Sequence, residues 1–156
     1  MGIFSAMFSE SKEDKIARWK KDILELLKTL PEEEDVAVDI DDTGKIVAQK
    51  GSAMTFVSFI TEEDNDIYLM VWSPLVYLPK ENFVAFYRYL LDRNNEMICP
   101  ARLVTDGDVV ELEAVFDTDF LSDDVIRYLV LMVLNAADIL DDELVNEFGV
   151  KRWTDD

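Results

Sequence analysis

Residues 36–50 read Val36-Ala37-Val38-Asp39-Ile40-Asp41-Asp42-Thr43-Gly44-Lys45-Ile46-Val47-Ala48-Gln49-Lys50, and this stretch decides the fold. Val36, Val38 and Ile40 alternate with Ala37 and Asp39, the strand period. Asp41-Asp42-Thr43-Gly44 is turn chemistry, and residues 45–50 alternate again, so the segment predicts a hairpin. A hairpin makes the sheet antiparallel from its first pair. The same letters imitate a calcium loop, with Asp39, Asp41 and Thr43 at positions one, three and five and Gly44 at six. Lys50 then stands at position twelve, where a bidentate Glu is required, and calcium is disfavoured.

Upstream, Ile16, Trp19, Ile23, Leu26, Leu27 and Leu30 fall at the helical spacing over about residues 9–29, with Ser11 and Asp14 resembling a capping box and Pro31 ending the pattern. Residues 32–35 form an acidic loop. Downstream, residues 53–60 and 67–72 are two further strands with apolar side chains at odd and even positions alike, so both faces of the sheet centre call for cover. Pro79 suits a first helical position, and Phe83, Phe86, Tyr87, Leu90 and Leu91 mark a second helix that ends at Asn94-Asn95. Residues 99–105 and 109–116 are strand-like runs joined at Asp106-Gly107-Asp108, with Pro100 placing the first at an edge or just inside its start. Ser122 caps a long last helix carrying Ile126, Leu129, Val130, Val133, Ala137, Leu140, Leu144 and Phe148, and Gly149 stops it. The order is helix, three or four strands, helix, two strands, helix. It predicts an α+β fold with helices layered on an antiparallel sheet, in a single domain over 1–156 with its core at about 12–148.

The chain has 156 residues, 34 Asp plus Glu against 15 Lys plus Arg, no His, and a formal charge of −19. A surface this acidic repels phosphate backbones and anionic lipid, so direct nucleic-acid binding is not expected. Without His, neither Ser-His-Asp nor Cys-His chemistry nor a His-based metal site is available. Cys99 is a lone cysteine beside Pro100, read as inert packing in a reducing compartment. The apolar run at 3–8 is too short for a signal peptide, and Ala6 breaks a myristoylation pattern. No apolar run reaches the length of a membrane span, roughly 20 residues. Cytoplasm is the expected location, with no cofactor and no membrane.

The hairpin residues also match the hydrophobic-strand Asp-x-Asp-x-Thr pattern of haloacid-dehalogenase-type phosphatases, with Asp39 as nucleophile and Asp41 as general acid beside Mg²⁺. That chemistry needs a parallel, helix-connected sheet, and residues 45–50 return too soon for it. A Mg-dependent phosphatase is the alternative function. Asp141-Asp142-Glu143 and the other acidic groups are more simply turns, caps or solvated faces. Two sets have apolar material to spare. Met54, Phe56, Tyr68, Met70 and Trp72 are either ordinary core or a partner-binding surface. The last helix adds Leu131, Met132 and Leu134 opposite its main stripe, so that it is either sandwiched internally or in contact with a second copy.

The hairpin at residues 41–44, the Ser73-Pro74-Leu75 break, the helix through Tyr87, Leu90, Leu91, Arg93, Asn94 and Asn95, the Asp106-Gly107-Asp108 turn before residues 109–116, and Ala136-Ala137-Asp138 in the last helix together resemble the YbjN family. These small bacterial proteins are labelled sensory-transduction regulators and share their fold with type III secretion chaperones. The resemblance spans about residues 12–148. It implies a two-layer α-β(3)-α-β(2)-α domain, often a homodimer, with no known catalytic residues. It also implies binding of protein partners in a broad sense. The expectation is a non-enzymatic protein-binding or regulatory domain that grips a partner through apolar surface and dimerises through one sheet face or the last helix.

Overall fold

Ser11 is extended (φ −65°, ψ 160°) and its hydroxyl oxygen accepts a hydrogen bond from the Asp14 amide at 3.1 Å, which satisfies one of the free donors at a helix start. In the computed structural model, which describes residues 10–30, 34–62, 66–97 and 99–155, this cap opens α1, Lys12–Leu27. The helix stop at Pro31, the acidic Glu32 and Glu33 and the apolar run at 3–8 lie outside the described residues.

The hairpin forms as its residues predict. β1 (Ala37–Ile40) and β2 (Ile46–Lys50) pair antiparallel, with Asp39 opposite Val47. Asp41 Oδ1 accepts from the Thr43 amide at 2.9 Å and from the Lys45 amide at 2.8 Å. Gly44 takes a left-handed φ of 78°. The phosphatase alternative fails here, because the strand after Asp39 and Asp41 returns antiparallel and Asp41 is engaged in holding the turn.

β3 (Ala53–Thr61), β4 (Ile67–Tyr77), β5 (Arg102–Asp106) and β6 (Val109–Asp117) complete a six-stranded sheet in the order β1-β2-β3-β4-β6-β5, antiparallel throughout. Four strands therefore precede the second helix. The three implied by the resemblance are joined by β1, a four-residue strand at the sheet margin. The Ser73-Pro74-Leu75 break is a bulge inside β4, where the register shifts between Pro74 and Val76; proline has no amide to give the ladder.

α2 spans Phe83–Glu96 and α3 Asp123–Phe148. Pro79 is not the first residue of α2. The chain is still leaving the sheet there, with the Leu78 amide bonded to Asp108 O at 2.7 Å, and the first helical bond runs from the Phe86 amide to Asn82 O. Asn94 does not end α2 either. Its amide group donates to Leu103 O at 3.0 Å and accepts from Leu103 N at 2.6 Å, which occupies free backbone groups along the edge strand β5.

Val57, Leu69, Val71, Leu112 and Ala114 share one face of the sheet and form one core with Ile23 and Leu27 of α1, Phe86 and Leu90 of α2, and the buried face of α3. α3 contacts both the sheet and α1. Those two contacts explain why it is apolar over more than one stripe. Leu129, Val130, Val133 and Leu134 are buried in the protomer, and Met132 packs against the same core while half-buried. Leu134 has no exposed surface, so it is not part of any interface this protomer offers. The result is an α+β two-layer fold of the secretion-chaperone type, with its helices on one side.

Candidate functional site: the open face of the sheet

A strand that buries Val57 and Val71 on one side must point Phe56, Ser58, Met70 and Trp72 to the other. The register aligns these residues. Phe56 lies opposite Trp72, Ser58 opposite Met70 and Ile60 opposite Tyr68 across β3 and β4, and Val47 of β2 flanks Phe56. Four of the five sheet candidates, Phe56, Tyr68, Met70 and Trp72, thus stand in two adjacent rows, and Met54 precedes Phe56 on the same side of β3. None belongs to the core cluster that the helices cover. Tyr68, Met70 and Trp72 are half-buried.

The centre of the patch is an aromatic pair. Phe56 and Trp72 stack with ring centroids 4.6 Å apart and an interplanar angle of 20°. Such a geometry adds to simple area burial. The Trp72 indole nitrogen is buried and has no hydrogen-bond acceptor among the described residues. On one side the ammonium of Lys45 lies 5.4 Å from the centre of the Trp72 ring, within reach of a cation–π attraction. On the other, β6 presents Glu113 opposite Trp72 and Glu111 opposite Pro74. Arg102 of β5 pairs with Glu113 at 2.8 Å. Burial, with the like charges of Asp106 and Glu113, pushes the Glu111 carboxyl above its ordinary value, against a smaller opposing pull from Lys45.

One end of the patch is covered. Residues 150–155 double back beside β4, with Tyr77 N bonded to Lys151 O at 2.9 Å and Arg152 bridged to Val76. A 3-10 turn at Trp153–Asp155 then sets the Trp153 ring edge-on to Phe56, with centroids 6.1 Å apart. Phe56 is left 7% exposed, so of the five it contributes least free surface. A shallow cavity of about 280 Å³ remains between Met54, Tyr77, Trp153 and Thr154.

A family model described as "Putative bacterial sensory transduction regulator" matches residues 24–145. The chain belongs to the YbjN family. No curated protein matches it. Every strand of this YbjN sheet lies inside the matched segment, while Arg152 and Trp153 lie beyond it. Among the described residues, no helix of this YbjN chain is long and apolar enough to cross a membrane.

Three residues at the site carry more than their sequence context suggested. Trp153 follows the C-terminal helix stop, where no pattern marks it. Asp141, read from its neighbours as part of a solvated acidic face, is 3% exposed. Its signal was positional: with Ala137, Leu140 and Leu144 it occupies the buried stripe of α3. Glu111 was legible in outline, since Val110-Glu111-Leu112-Glu113-Ala114 alternates cleanly, yet alternation could not say that its polar side would border the aromatic pair. Cys99 is half-buried against the core as a free thiol.

Proposed function

We propose that this YbjN-family chain is a cytoplasmic, non-enzymatic regulatory protein, working as one domain, that binds another polypeptide on the open face of its sheet. One observation carries the reading: Tyr68, Met70 and Trp72 form a contiguous apolar and aromatic surface on a rigid sheet, outside the helix-covered core. Sheets in layered folds bury such a face against another element, and a partner would supply it. Burial at about 25 cal/mol per Å² is the source of affinity, while Met side chains give the surface adaptability.

A homodimer belongs to the same reading, with its contact on α2. Phe83, Val84, Tyr87 and Leu91 project outward there, Val84 at 85% and Leu91 at 68% exposure. In a chain of net charge −19, α2 balances Arg88 and Arg93 against Asp92 and Glu96, so two copies can approach on that helix without strong repulsion. Leu131 and Met132, half-buried on α3, are the less exposed choice.

The test compares capture of native-lysate proteins by the wild-type chain and by Met70→Asp, with circular dichroism confirming that both are folded. Loss of the same captured protein in the folded variant supports the reading. Identical capture by both removes the open face from function. Light scattering after size exclusion at tens of micromolar checks the dimer, with Leu91→Asp expected to run as a monomer.

A further inference from the structure

The two neighbours of β4 cover it unequally. β6 pairs with it as far as Tyr77, whereas β3 pairs with it only from Ile67 to Trp72. Past Trp72 the β3 side of β4 is therefore an open edge inside the sheet, and the C-terminal segment takes it. Val76 is bridged to Val110 of β6 and to Arg152, one on each side of the strand, and the Tyr77 amide donates to Lys151 O at 2.9 Å. Successive side chains of an extended segment point to opposite faces of a sheet. Arg152, at the bridge, reaches the helix side and pairs with Asp141 of α3 at 3.0 Å, while the next residue, Trp153, comes to the open side against Phe56. The ammonium of Lys151 lies 5.7 Å from the centre of the Tyr77 ring. The segment fills this seat incompletely, since the cavity of about 280 Å³ lies between Trp153 and Thr154 on one side and Met54 and Tyr77 on the other.

We propose that the end of the open face is a site for an extended segment with a basic residue followed by an aromatic one, and that residues 151–153 of the chain occupy it until such a partner segment displaces them. This rests on the open face being the binding surface and adds how its end is kept closed. A segment added to an open edge gains affinity from backbone hydrogen bonds and specificity from where its alternate side chains go. Here the two seats differ in character. On the helix side the buried Asp141 carboxylate, whose Oδ1 takes no hydrogen bond from the described residues, selects a cation. On the open side the stacked Phe56 and Trp72 rings select an aromatic one. Departure of Trp153 joins Phe56 to the surface of Met70 and Trp72, so the exchange enlarges the apolar area offered to the partner. Gly149, with a left-handed φ of 62°, ends α3 before the segment begins, and the exchange leaves that helix intact.

A synthetic peptide of residues 150–156 tests it, against a control peptide of the same composition with its Arg and Trp exchanged. Each is titrated into the full-length wild-type chain and into the full-length Arg152→Ala/Trp153→Ala chain, with circular dichroism confirming the fold. Calorimetry measures affinity, and amide chemical shifts locate the peptide. The native-order peptide is expected to shift Met54, Phe56 and Tyr77 of the variant, and to bind it about tenfold more tightly than it binds wild type or than the control binds the variant. Equal affinity of the two peptides would reduce the effect to composition, and equal affinity for the two chains would mean that residues 151–153 do not hold the site; either overturns the proposal. Hydrogen exchange on the wild-type chain decides it even where the variant fails to fold. Release of the segment should let the Tyr77 amide exchange about a hundredfold faster than that of Val71 at the sheet centre, and equal protection of the two would make the segment part of the core and overturn the proposal. If these tests fail while Met70→Asp still abolishes capture by the folded chain, the open face stands and the exchange alone is wrong.

Discussion

Arg152, beyond the end of the last helix, returns to place its guanidinium against Asp141 inside that helix, with Nε 3.0 Å from Oδ2. Ser52 Oγ donates to the same oxygen at 3.2 Å, while Oδ1 is buried and takes no hydrogen bond from the described residues. Arg152 also reaches Asp142. This contact fastens the segment that carries Trp153 over Phe56. Arg152→Ala leaves a buried carboxylate uncompensated, and urea denaturation at pH 7 should show a loss of about 2 kcal/mol. Asp141→Asn in the same chain should recover much of it.

The pH dependence of that pair has a definite sign. Burial raises the Asp141 pKa above 3.8 in the folded state, with Arg152 opposing. An acid whose folded pKa is raised holds its proton more tightly when folded, so its ionisation costs stability above the folded value. Its contribution improves as pH falls from above that value toward 3.8, below which folded and unfolded forms are both protonated. Arg152→Ala removes the opposing influence and should widen this acid-side gain, measured as midpoint against pH.

Glu111→Gln should stabilise the fold at neutral pH. The wild-type carboxyl is raised above 4.5 chiefly by burial, so its ionisation disfavours the folded state at neutral pH. The variant is expected to melt slightly higher than wild type at pH 7 and equally below about pH 4. Differential scanning calorimetry at both pH values checks it. A lower melting temperature at pH 7 would make Glu111 a structural group.

The hairpin turn gives an opposite sign. Asp41 is lowered below 3.8, chiefly by the hydrogen bond from the Lys45 amide, so it supports folding at neutral pH and loses that support as pH falls through the lowered value. Asp41→Ala should lower the melting temperature at pH 7 and differ less from wild type in acid. Gly44→Ala forces a side chain onto a φ of 78°. That substitution should cost about 1 kcal/mol at any pH. Asp39→Asn, whose carboxylate accepts from the adjacent Ile40 amide alone among the described residues, should leave stability unchanged.

Two leucines of α3 that look alike in sequence should behave differently. Leu134 is fully buried, and Leu134→Ala is expected to cost about 3 kcal/mol through the cavity it leaves. Leu131 is half-buried, and Leu131→Ala should cost under about 1 kcal/mol. Chemical denaturation distinguishes them.

The sequence by itself determined the elements that depend on near neighbours. The Asp41 to Gly44 turn, the Ser11 and Ser122 caps and the Gly149 stop are contacts within a few residues, and alternation assigned side chains to opposite sides of each strand. Only the tertiary structure decided which side the helices would cover. Both sides of β3 and β4 are apolar, so Met70 and Val71 cannot be told apart by period; α3 packing on the Val71 side makes Met70 the open one. The same holds for Asp141 and Trp153, whose roles come from Arg152 and Phe56. These contacts join residues far apart in the chain or across a helix stop, where no local pattern couples them.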